Sequence, residues 1–384
     1  MARFSTRIHW SLEPNRLAAA TSDHSGTLLD LTQSNPTAAG IQYPERLLDA
    51  LTDPRALRYE PAPAGIASAR EAVSGYYSGT VDPGRIMLTA STSEAYAHIF
   101  KLLCDPGDEV LVPRPSYPLF DFLADLEGVR AVQYPLHYTD GWYIDLDALS
   151  STVTERTRAI VFVNPNNPTG SFLKLQQYEV MSTLCGRYGM ALIVDEVFAD
   201  YPLGPDPLRV PTVAGKSDVL TFTLSGLSKV AGLPQMKLGW IVTGGPQSQC
   251  EDALKRLELI ADTFLSTGTP VQYALPRFLE ARTGIQQQIS DRTRSNLDLL
   301  RTLTSNSPAQ LLEPEGGWYA TLRVPNTRTG EEWVLRLINQ QDVLVQPGFF
   351  YDFDSEAFLI LSLLTERDIF AEGAKRTILA LKQP

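Results

Sequence analysis

The sequence has few cysteines and histidines, and it has no long hydrophobic run. Its three cysteines, Cys104, Cys185 and Cys250, have the spacing of neither a disulfide framework nor a redox motif. The four histidines are scattered too, so we expect no metal site. No apolar stretch approaches the roughly 18 residues of a membrane-spanning helix, and the N-terminal residues lack the apolar core of a secretion signal. We therefore expect a cytoplasmic protein without membrane contact.

Positive charge is also scarce. The chain has 33 lysines and arginines against 44 aspartates and glutamates, a formal net charge of −11. This balance opposes non-specific attraction to nucleic acid or acidic lipid. The 43% hydrophobic and 20% charged fractions over 384 residues are typical of a globular protein with a large core. We expect its partner to be a small molecule.

Short apolar runs alternate with segments of helical periodicity through most of the chain. Because these runs show little polar alternation, they are typical of strands that are buried on both faces of a parallel sheet. The pattern predicts an α/β fold with a mostly parallel central sheet flanked by helices. The predicted strands are 85–89, 109–112, 159–163, 191–194, 219–222 and 238–242.

The C-terminal third has a different pattern. A mainly helical stretch runs from about Ser266 to Ser305, and shorter strand-like and helix-like runs follow it. The strand-like runs are 318–324, 343–346 and 358–363, and the helix-like runs are near 331–339 and 369–381. We therefore divide the chain into a large α/β domain, 40–275, and a small α+β domain with a connecting helix, made of 1–39 and 276–384.

Polar residues follow five of the predicted strands. In open α/β sheets, ligands bind at the carboxyl ends of the strands, so these five segments are candidates for one site. Each segment alone could be turn or helix-capping chemistry. The segments are TASTSEAY after Leu88, PRPSYP after Val112, NPNNPTG after Val163, DEVFADY after Val194 and TLSGLSK after Phe222.

Together these segments supply an amine, a carboxylate, an aromatic plane and hydroxyl groups, the parts of a pyridoxal phosphate site. NPTG at 167–170, Asp195 in VDEVF, and SGLSK followed by Lys237 eight residues after Lys229 resemble the fold-type I aminotransferases of class I and II. The segments LRYEPAPAGIASAREAV and DPGDEVLVPRPSYPLF support the resemblance, which covers most of the chain.

The resemblance implies pyridoxal 5′-phosphate as the cofactor and assigns roles around its ring. Lys229 would hold the cofactor as a Schiff base and move the substrate Cα proton. Asp195 would pair with the protonated pyridine nitrogen, which makes the ring an electron sink. Asn167 would donate to the 3′ oxygen, and Tyr117 would stack on the ring.

The resemblance also implies a phosphate site and a homodimer. The phosphate ligands would be Ser91, Thr92, Ser225, Ser228 and Lys237. For Ser91 and Thr92, plain helix capping is the alternative interpretation. Tyr59 matches a tyrosine that reaches the phosphate of the neighbouring subunit, so we expect a homodimer with shared active sites.

Three positions depart from the family's pattern. Lys237 replaces the usual arginine, and Phe198 replaces a tyrosine that donates to the 3′ oxygen. Ile360 stands where an arginine that binds the substrate carboxylate is expected. Arg323 and Arg367 are candidates for a relocated clamp. The motif that contains Ser34 and Asn35 resembles a loop beside the substrate, so both are candidate substrate-binding residues.

The predicted function is transfer of an amino group between an amino acid and a 2-oxo acid by a ping-pong mechanism. A pyridoxal phosphate-dependent lyase (β-elimination) or decarboxylase on the same fold is the alternative. A regulatory domain and a serine–lysine hydrolase are disfavoured, because the chain shows no room for a DNA-binding module and no SxxK motif. The amino donor and acceptor stay open.

Overall fold

The computed structural model of the protein describes residues 3–216, 218–265, 267–355 and 357–382. The strands within these residues, in chain order, are β1 Leu29–Asp30, β2 Ile86–Thr89, β3 Glu109–Arg114, β4 Arg130–Tyr138, β5 Trp142–Ile144, β6 Thr157–Val163, β7 Ala191–Asp195, β8 Thr221–Gly226, β9 Gly239–Gly244, β10 Gln310–Leu312, β11 Tyr319–Arg323, β12 Val343–Leu344, β13 Gln346–Pro347 and β14 Phe358–Ser362.

The α-helices are α1 Arg16–Asp23, α2 Ala67–Tyr76, α3 Thr92–Leu103, α4 Phe120–Glu127, α5 Leu146–Thr152, α6 Leu175–Tyr188, α7 Leu227–Val230, α8 Gln247–Phe264, α9 Thr269–Thr304, α10 Gly330–Gln341 and α11 Arg367–Leu381. Short 3-10 helices lie at Pro36–Ala38, Leu47–Thr52, Pro54–Leu57, Pro83–Arg85, Pro234–Met236 and Gly348–Tyr351. None of the helices in the described ranges has the length and hydropathy needed to cross a bilayer.

An eight-stranded sheet forms the centre of the molecule, in the order β2-β9-β8-β7-β6-β3-β4-β5. The four pairs from β8 to β4 are parallel, and the pairs β2–β9, β9–β8 and β4–β5 are antiparallel. Every residue of β2, β7, β8 and β9 is buried, which explains why their sequences lack polar alternation. The predicted α/β fold is confirmed, and the carboxyl ends of β6, β7 and β8 meet at one edge of the sheet.

The predicted strand boundaries are right to within a few residues, with one consequential difference. We expected a strand at 219–222, whereas β8 extends from Thr221 to Gly226. Ser225 therefore lies inside the sheet, opposite Trp240 of β9. The strands β4 and β5 and the helix α8 were not predicted.

A second, four-stranded antiparallel sheet has the order β10-β11-β14-β13 and packs with α10 and α11 in the smaller part of the chain. The short parallel pair of β1 with β12 ties the N-terminal region to this part. A smaller α+β unit beside the central sheet is thus as predicted, and the structure shows that its sheet is antiparallel. The expected helical stretch corresponds to the 36-residue α9, which contains Pro276; its expected start, Ser266, lies outside the described residues.

The helix α9 contacts both parts of the molecule. It packs against α2 of the large domain and against α11 of the smaller one. The predicted boundary between residues 275 and 276 falls within this helix. The division into 40–275 and the remainder stays a prediction, with α9 as its connecting element.

Candidate active site

A cavity of about 370 Å³ opens at the carboxyl edge of the central sheet. Its walls come from the ends of β6, β7 and β8, the start of α3, and one residue of β11 in the smaller sheet. The lining residues are Ser34, Ala90, Ser91, Thr92, Ser93, Tyr117, Val163, Asn167, Asp195, Val197, Phe198, Gly226, Ser228, Lys229, Pro234, Lys237, Leu238, Gly239 and Tyr319.

Lys229 lies in α7, the four-residue helix that directly follows β8. Its Nζ is 5.5 Å from the centre of the Phe198 ring and 5.1 Å from that of Trp318. Burial lowers the pKa of Lys229 to about 8, although the charge of Asp195 acts in the opposite direction. At neutral pH ~10% of this amine is therefore uncharged, whereas an ordinary lysine with a pKa of ~10.4 is almost entirely protonated. A neutral amine can act as a nucleophile or as a base.

Three side chains from distant parts of the chain fix the backbone of α7 and of the turn that follows it. The Tyr201 hydroxyl donates to the Lys229 carbonyl at 2.6 Å. The Gln286 amide donates to the Val230 carbonyl at 2.7 Å, and the Tyr43 hydroxyl donates to the Gly232 carbonyl at 2.6 Å. The Val230 carbonyl lies at the end of α7, where carbonyls lack intrahelical partners, and the Gln286 amide satisfies it. The Lys229 carbonyl also accepts from the Gly232 N–H at 3.3 Å. These hydrogen bonds fix the main chain at Lys229 and thereby the point from which its side chain extends.

Asp195 is the last residue of β7 and is buried, with 5% of its surface exposed. One carboxylate oxygen accepts from the Val197 backbone N–H at 3.1 Å, and the other accepts from the Tyr96 hydroxyl at 3.2 Å. Burial raises the pKa of Asp195 to about 6, while the Val197 N–H, the Tyr96 hydroxyl and the charge of Lys229 lower it. At neutral pH this carboxylate is mostly ionised and can pair with a cation in the cavity.

One end of the cavity has the features of an anion site. Ser91 caps α3 by accepting from the Glu94 N–H at 3.1 Å, and Thr92 and Ser93 form the first turn, where free N–H groups and the helix dipole favour negative charge. Ser228 and the exposed Lys237 line the same cavity. These five residues give donors and a positive charge to a bound anion.

Two glycines allow the walls of this end to approach each other. A Cβ at Gly226 would lie 3.0 Å from the Gly239 Cα. A Cβ at Gly239 would lie 3.1 Å from the Ser225 carbonyl oxygen and 3.2 Å from the carbonyl carbon of Ser91. Any side chain there would push β9 away from the start of α3, so the two glycines are needed for the shape of the anion end.

Asn167 lies in the loop after β6. Its amide oxygen is buried without a hydrogen-bond partner among the described residues, so it has capacity for a ligand. Gly170 ends the loop with φ +73°, and a Cβ there would lie 2.7 Å from the Gly316 carbonyl oxygen. Only glycine allows the loop to pack this closely against residues 314–316 of the smaller part.

The tyrosine ring at the cavity wall belongs to Tyr117. It packs edge-to-face with Phe120, with ring centres 5.9 Å apart. Burial raises the pKa of Tyr117 to about 12, so its hydroxyl stays neutral. An aromatic face at this position can lie against a flat ligand.

Nine of the predicted site residues meet at this cavity: Ser34, Ser91, Thr92, Tyr117, Asn167, Asp195, Ser228, Lys229 and Lys237. Four do not line it. Ser225 is buried in β8, and its hydroxyl has no partner among the described residues. Asn35 is exposed and caps a 3-10 helix by accepting from Thr37. Tyr59 is 74% exposed on the surface.

The fourth predicted residue that does not line the cavity is Arg323, at the far end of β11. Its guanidinium donates to the Gln310 side chain at 3.1 Å, away from the cavity. Arg367 is exposed at the start of α11. Ile360, at the position where we expected an arginine, is buried in β14 between Thr321 and Gln346.

Several residues at the cavity were not predicted. Ser93 is one position beyond the pair that we singled out in TASTSEAY, and its place in the first helical turn could have identified it. Tyr319 comes from β11 and, like Ser34, lines the cavity. Tyr96 contacts Asp195 from inside α3. No motif in the sequence pointed to these two tyrosines.

These residues fit pyridoxal 5′-phosphate. The anion end suits a phosphate, Asp195 suits a protonated ring nitrogen, and the partly neutral Lys229 suits a carbonyl. Asn167 lines the same cavity, where its amide NH2 group can donate to an oxygen on the ring. The fit depends on groups that the protein itself leaves with spare charge or spare bonding capacity.

Known proteins similar to this chain are aminotransferases and related enzymes. An alanine aminotransferase of Mycobacterium bovis is 29% identical over 359 residues, which are 90% of this chain and 83% of the relative. The glutamate-pyruvate aminotransferase AlaA of Escherichia coli is 28% identical over 361 residues, 90% of this chain and 89% of the relative. An S-alkyl-thiohydroximate lyase, SUR1, of Arabidopsis thaliana is 27% identical over 345 residues, 85% and 74% of the two chains.

Solved structures share the fold. An alanine aminotransferase from Pyrococcus furiosus superposes with a TM-score of 0.88 at 24% identity, and the match covers 100% of both chains. The sequence model for aminotransferases of class I and II matches residues 25–369, which is most of the chain. On this match, together with the fold and the cavity, the chain belongs to the class I and II aminotransferase family.

Proposed function

We propose that this aminotransferase binds pyridoxal 5′-phosphate covalently through Lys229 and uses it to move amino groups between an amino acid and a 2-oxo acid. The observation that carries the proposal is the joint position of Lys229 and Asp195. A partly neutral amine and a mostly ionised carboxylate lie in one cavity that ends in an anion site. Enzymes of this family depend on pyridoxal phosphate, which when bound accepts the electron pair released from the substrate Cα.

In this proposal Lys229 has two tasks. Its Nζ carries the cofactor before the substrate arrives. Once released by the substrate, the same amine takes the Cα proton and returns it at another carbon. The lowered pKa of Lys229 favours both tasks, because the amine must lose its proton at neutral pH before it can react or accept one.

Asp195 and the anion end orient the cofactor. The Asp195 carboxylate complements a protonated ring nitrogen, an interaction worth about 4 kcal/mol at 4 Å and an effective dielectric of 20. Ser91, Thr92, Ser93, Ser228 and Lys237 would hold the phosphate, and Tyr117 would cover one face of the ring. Asn167 would bind the ring oxygen.

The substrate end of the cavity contains Ser34, Phe198 and Tyr319. The two hydroxyls can hydrogen-bond a substrate carboxylate, and Phe198 can contact its side chain. Relatives named alanine and glutamate-pyruvate aminotransferase support small α-amino acids and their 2-oxo acids as the substrate class. The lyase alternative has one related protein in its favour, SUR1, and no feature of the cavity favours it over transamination.

We further propose a homodimer in the cytoplasm. Tyr59 is exposed near the more exposed Leu57, and neither side chain lines the cavity of its own chain. Such an apolar surface is suited to contact with a second copy, where Tyr59 could reach the partner's phosphate. All three cysteines are free, as is usual in a reducing compartment.

The test is an absorbance titration of the purified protein with pyridoxal phosphate. We expect a visible band that is lost when alanine or glutamate is added, with the corresponding 2-oxo acid formed in equal amount. The variant Lys229→Ala should form no such band, whereas Lys255→Ala, an exposed lysine of α8, should behave as the wild type. Pyruvate and ammonia released from a cysteine-like donor, without transfer, would favour the lyase alternative. A wild type without a band would refute the proposal.

A further inference from the structure

The helix α3 reaches both ends of the candidate site. Its first turn, with Thr92 and Ser93, lines the anion end of the cavity. Tyr96 lies four residues after Thr92, and side chains at this spacing lie on the same face of a helix. Tyr96 therefore points from α3 toward the same edge of the sheet, where it meets Asp195.

The contact between Tyr96 and Asp195 is buried. The hydroxyl donates to the Asp195 carboxylate at 3.2 Å, and Tyr96 is 1% and Asp195 5% exposed. The phenol ring is fixed by edge-to-face packing on Phe120, with ring centres 5.5 Å apart. The packing of its ring and its position on α3 thus direct the Tyr96 hydroxyl at one oxygen of the Asp195 carboxylate.

The other oxygen of Asp195 accepts from the Val197 N–H at 3.1 Å. Each oxygen therefore has one donor from the protein, and each carboxylate oxygen can accept a further hydrogen bond. This arrangement sets the plane of the carboxylate and leaves acceptor capacity toward the cavity. A hydrogen bond from a neutral hydroxyl also favours the ionised carboxylate over the protonated form.

We propose that Tyr96 is a positioning residue that orients Asp195 and keeps it ionised, so that the carboxylate can pair with the cationic ring nitrogen of the cofactor. The proposal rests on the proposed function of Asp195. It adds a group that no motif of the chain identifies and that lies outside the cavity lining.

The charged and titratable groups around Asp195 come from four elements. Lys229 faces it from α7, Tyr96 from α3, and Tyr117 from the loop after β3, while Glu196 is its neighbour in the chain. Burial, and then the charge of Asp195, raises the pKa of Tyr96 well above its usual value. The hydroxyl therefore remains a donor throughout the pH range in which Asp195 titrates.

Tyr134 offers a matched control. It is also a fully buried tyrosine, and its hydroxyl donates at 2.8 Å to the Val161 carbonyl, a neutral acceptor. Tyr134→Phe and Tyr96→Phe each remove one buried hydroxyl with its hydrogen bond. Only the second removes a donor from a titrating carboxylate.

The first measurement uses the protein without cofactor. The free energy of unfolding of the wild type, Tyr96→Phe and Tyr134→Phe is measured by denaturant titration between about pH 5 and pH 8. Asp195 has a folded pKa above its unfolded value, so its contribution to stability is present in acid and is lost as pH rises through about 6. Without the Tyr96 hydroxyl the folded pKa rises further, and this loss continues to higher pH.

The expected result is a stability difference between Tyr96→Phe and wild type that grows with pH. It should correspond to about a tenfold change in the unfolding equilibrium between the two ends of the range. Tyr134→Phe should differ from the wild type by the same amount at every pH. In an Asp195→Asn background, the added Tyr96→Phe change should lose its pH dependence. Equal, pH-independent losses in the two tyrosine variants would overturn the proposal.

The second measurement is the affinity for pyridoxal phosphate. Tyr96→Phe should bind it about threefold more weakly near pH 6.5 and within about twofold of the wild type near pH 9, where Asp195 is ionised in both. If Tyr96→Phe does not fold, 3-fluorotyrosine placed at position 96 keeps the shape and is a stronger donor. It should shift both pH profiles in the opposite direction, and an unchanged profile would overturn the proposal.

Failure of the proposed function looks different. In that case the wild type forms no visible band that depends on Lys229, whatever the behaviour of Tyr96. The unfolding measurement contains no cofactor, so it tests the effect of Tyr96 on Asp195 by itself.

Discussion

The cavity has two unlike walls. The wall formed by the central sheet and its adjoining segments has three charged residues, Asp195, Lys229 and Lys237, and the pKa values of Asp195 and Lys229 are shifted by burial. The opposite wall has the hydroxyls of Ser34 and Tyr319, which are neutral. We infer that the first wall supplies the chemistry that all substrates share, and the second contacts what differs between substrates. The two walls should therefore respond differently to substitution.

The largest effect is expected at Asp195. Asp195→Asn keeps the shape and removes the charge, so it should lower kcat/KM by roughly a thousandfold, which corresponds to ~4 kcal/mol of lost pairing. Steady-state kinetics with alanine as the donor measure this.

The neighbouring carboxylate is the control. Glu196 is also buried, but it accepts from the Thr212 hydroxyl at 2.6 Å and the Val213 N–H at 2.7 Å, on the other side of the strand. Glu196→Gln should reduce stability and leave kcat within a few-fold of the wild type. Equal losses of activity in the two variants would contradict the special role of Asp195.

The second-largest effect is expected from pH, which changes the protonation of Lys229 on the same wall. The pKa of Lys229 is lowered to about 8, so the neutral fraction of its amine rises from ~1% at pH 6 to ~50% at pH 8. The rate at which the cofactor-free protein captures pyridoxal phosphate should rise about fiftyfold over this range and then level off. Stopped-flow absorbance follows the reaction, and a rate that keeps rising to pH 10 would indicate an ordinary lysine.

A smaller effect is expected at the anion end. Lys237→Ala removes a cation and should weaken cofactor binding about ten- to a hundredfold, with kcat nearly unchanged once the cofactor is saturating. Lys237 has φ +49°, so every replacement inherits the same backbone strain.

Lys237→Arg is therefore the matched control, because it has the same backbone strain as Lys237→Ala but keeps the positive charge. It keeps the positive charge and adds a bidentate donor, so it should bind the cofactor at least as tightly as the wild type. Equilibrium titration of all three proteins gives the comparison. Unchanged cofactor binding in Lys237→Ala would place the phosphate elsewhere.

The smallest effect is expected on the neutral wall. Tyr319→Phe removes one hydroxyl and should raise KM for the amino donor about three- to tenfold, the usual worth of one hydrogen bond, with little change in cofactor affinity. Tyr178→Phe, whose hydroxyl bonds Asp218 near the start of β8, is the control and should change neither. A large loss of cofactor affinity in Tyr319→Phe would mean that the neutral wall also binds the cofactor and not only the substrate.

The sequence was informative where the chain itself brings residues to the sheet edge. Asp195 ends a buried strand, and Asn167 and Lys229 follow one within a few residues, so the hydrophobic pattern alone predicts their location. Ser225 was expected beside them, but β8 is longer than its apolar run. The last residues of β8 pair with β9, so Ser225 remains inside the sheet, opposite Trp240.

The neutral wall could not be predicted in this way. Ser34 and Tyr319 are far apart in the chain and come together where the N-terminal segment packs on the smaller sheet, as in the hydrogen bond that the Ser362 hydroxyl of β14 donates to the Gln33 carbonyl. Arg323 shares the strand of Tyr319, but at ~3.4 Å per residue it lies about 13 Å further along, beyond the cavity. Tertiary packing, rather than local pattern, decides which residue of β11 reaches the site.

The side chains that donate to α7 and to the turn after it have a consequence for the order of events during synthesis. Lys229 leaves the ribosome well before Gln286, whose amide holds the Val230 carbonyl, and before the strand that places Trp318 over the lysine amine. A chain that has just exposed its lysine therefore still lacks part of the support that fixes it. We expect cofactor loading to follow completion of both parts of the molecule, so that truncated chains ending before α9 remain unloaded.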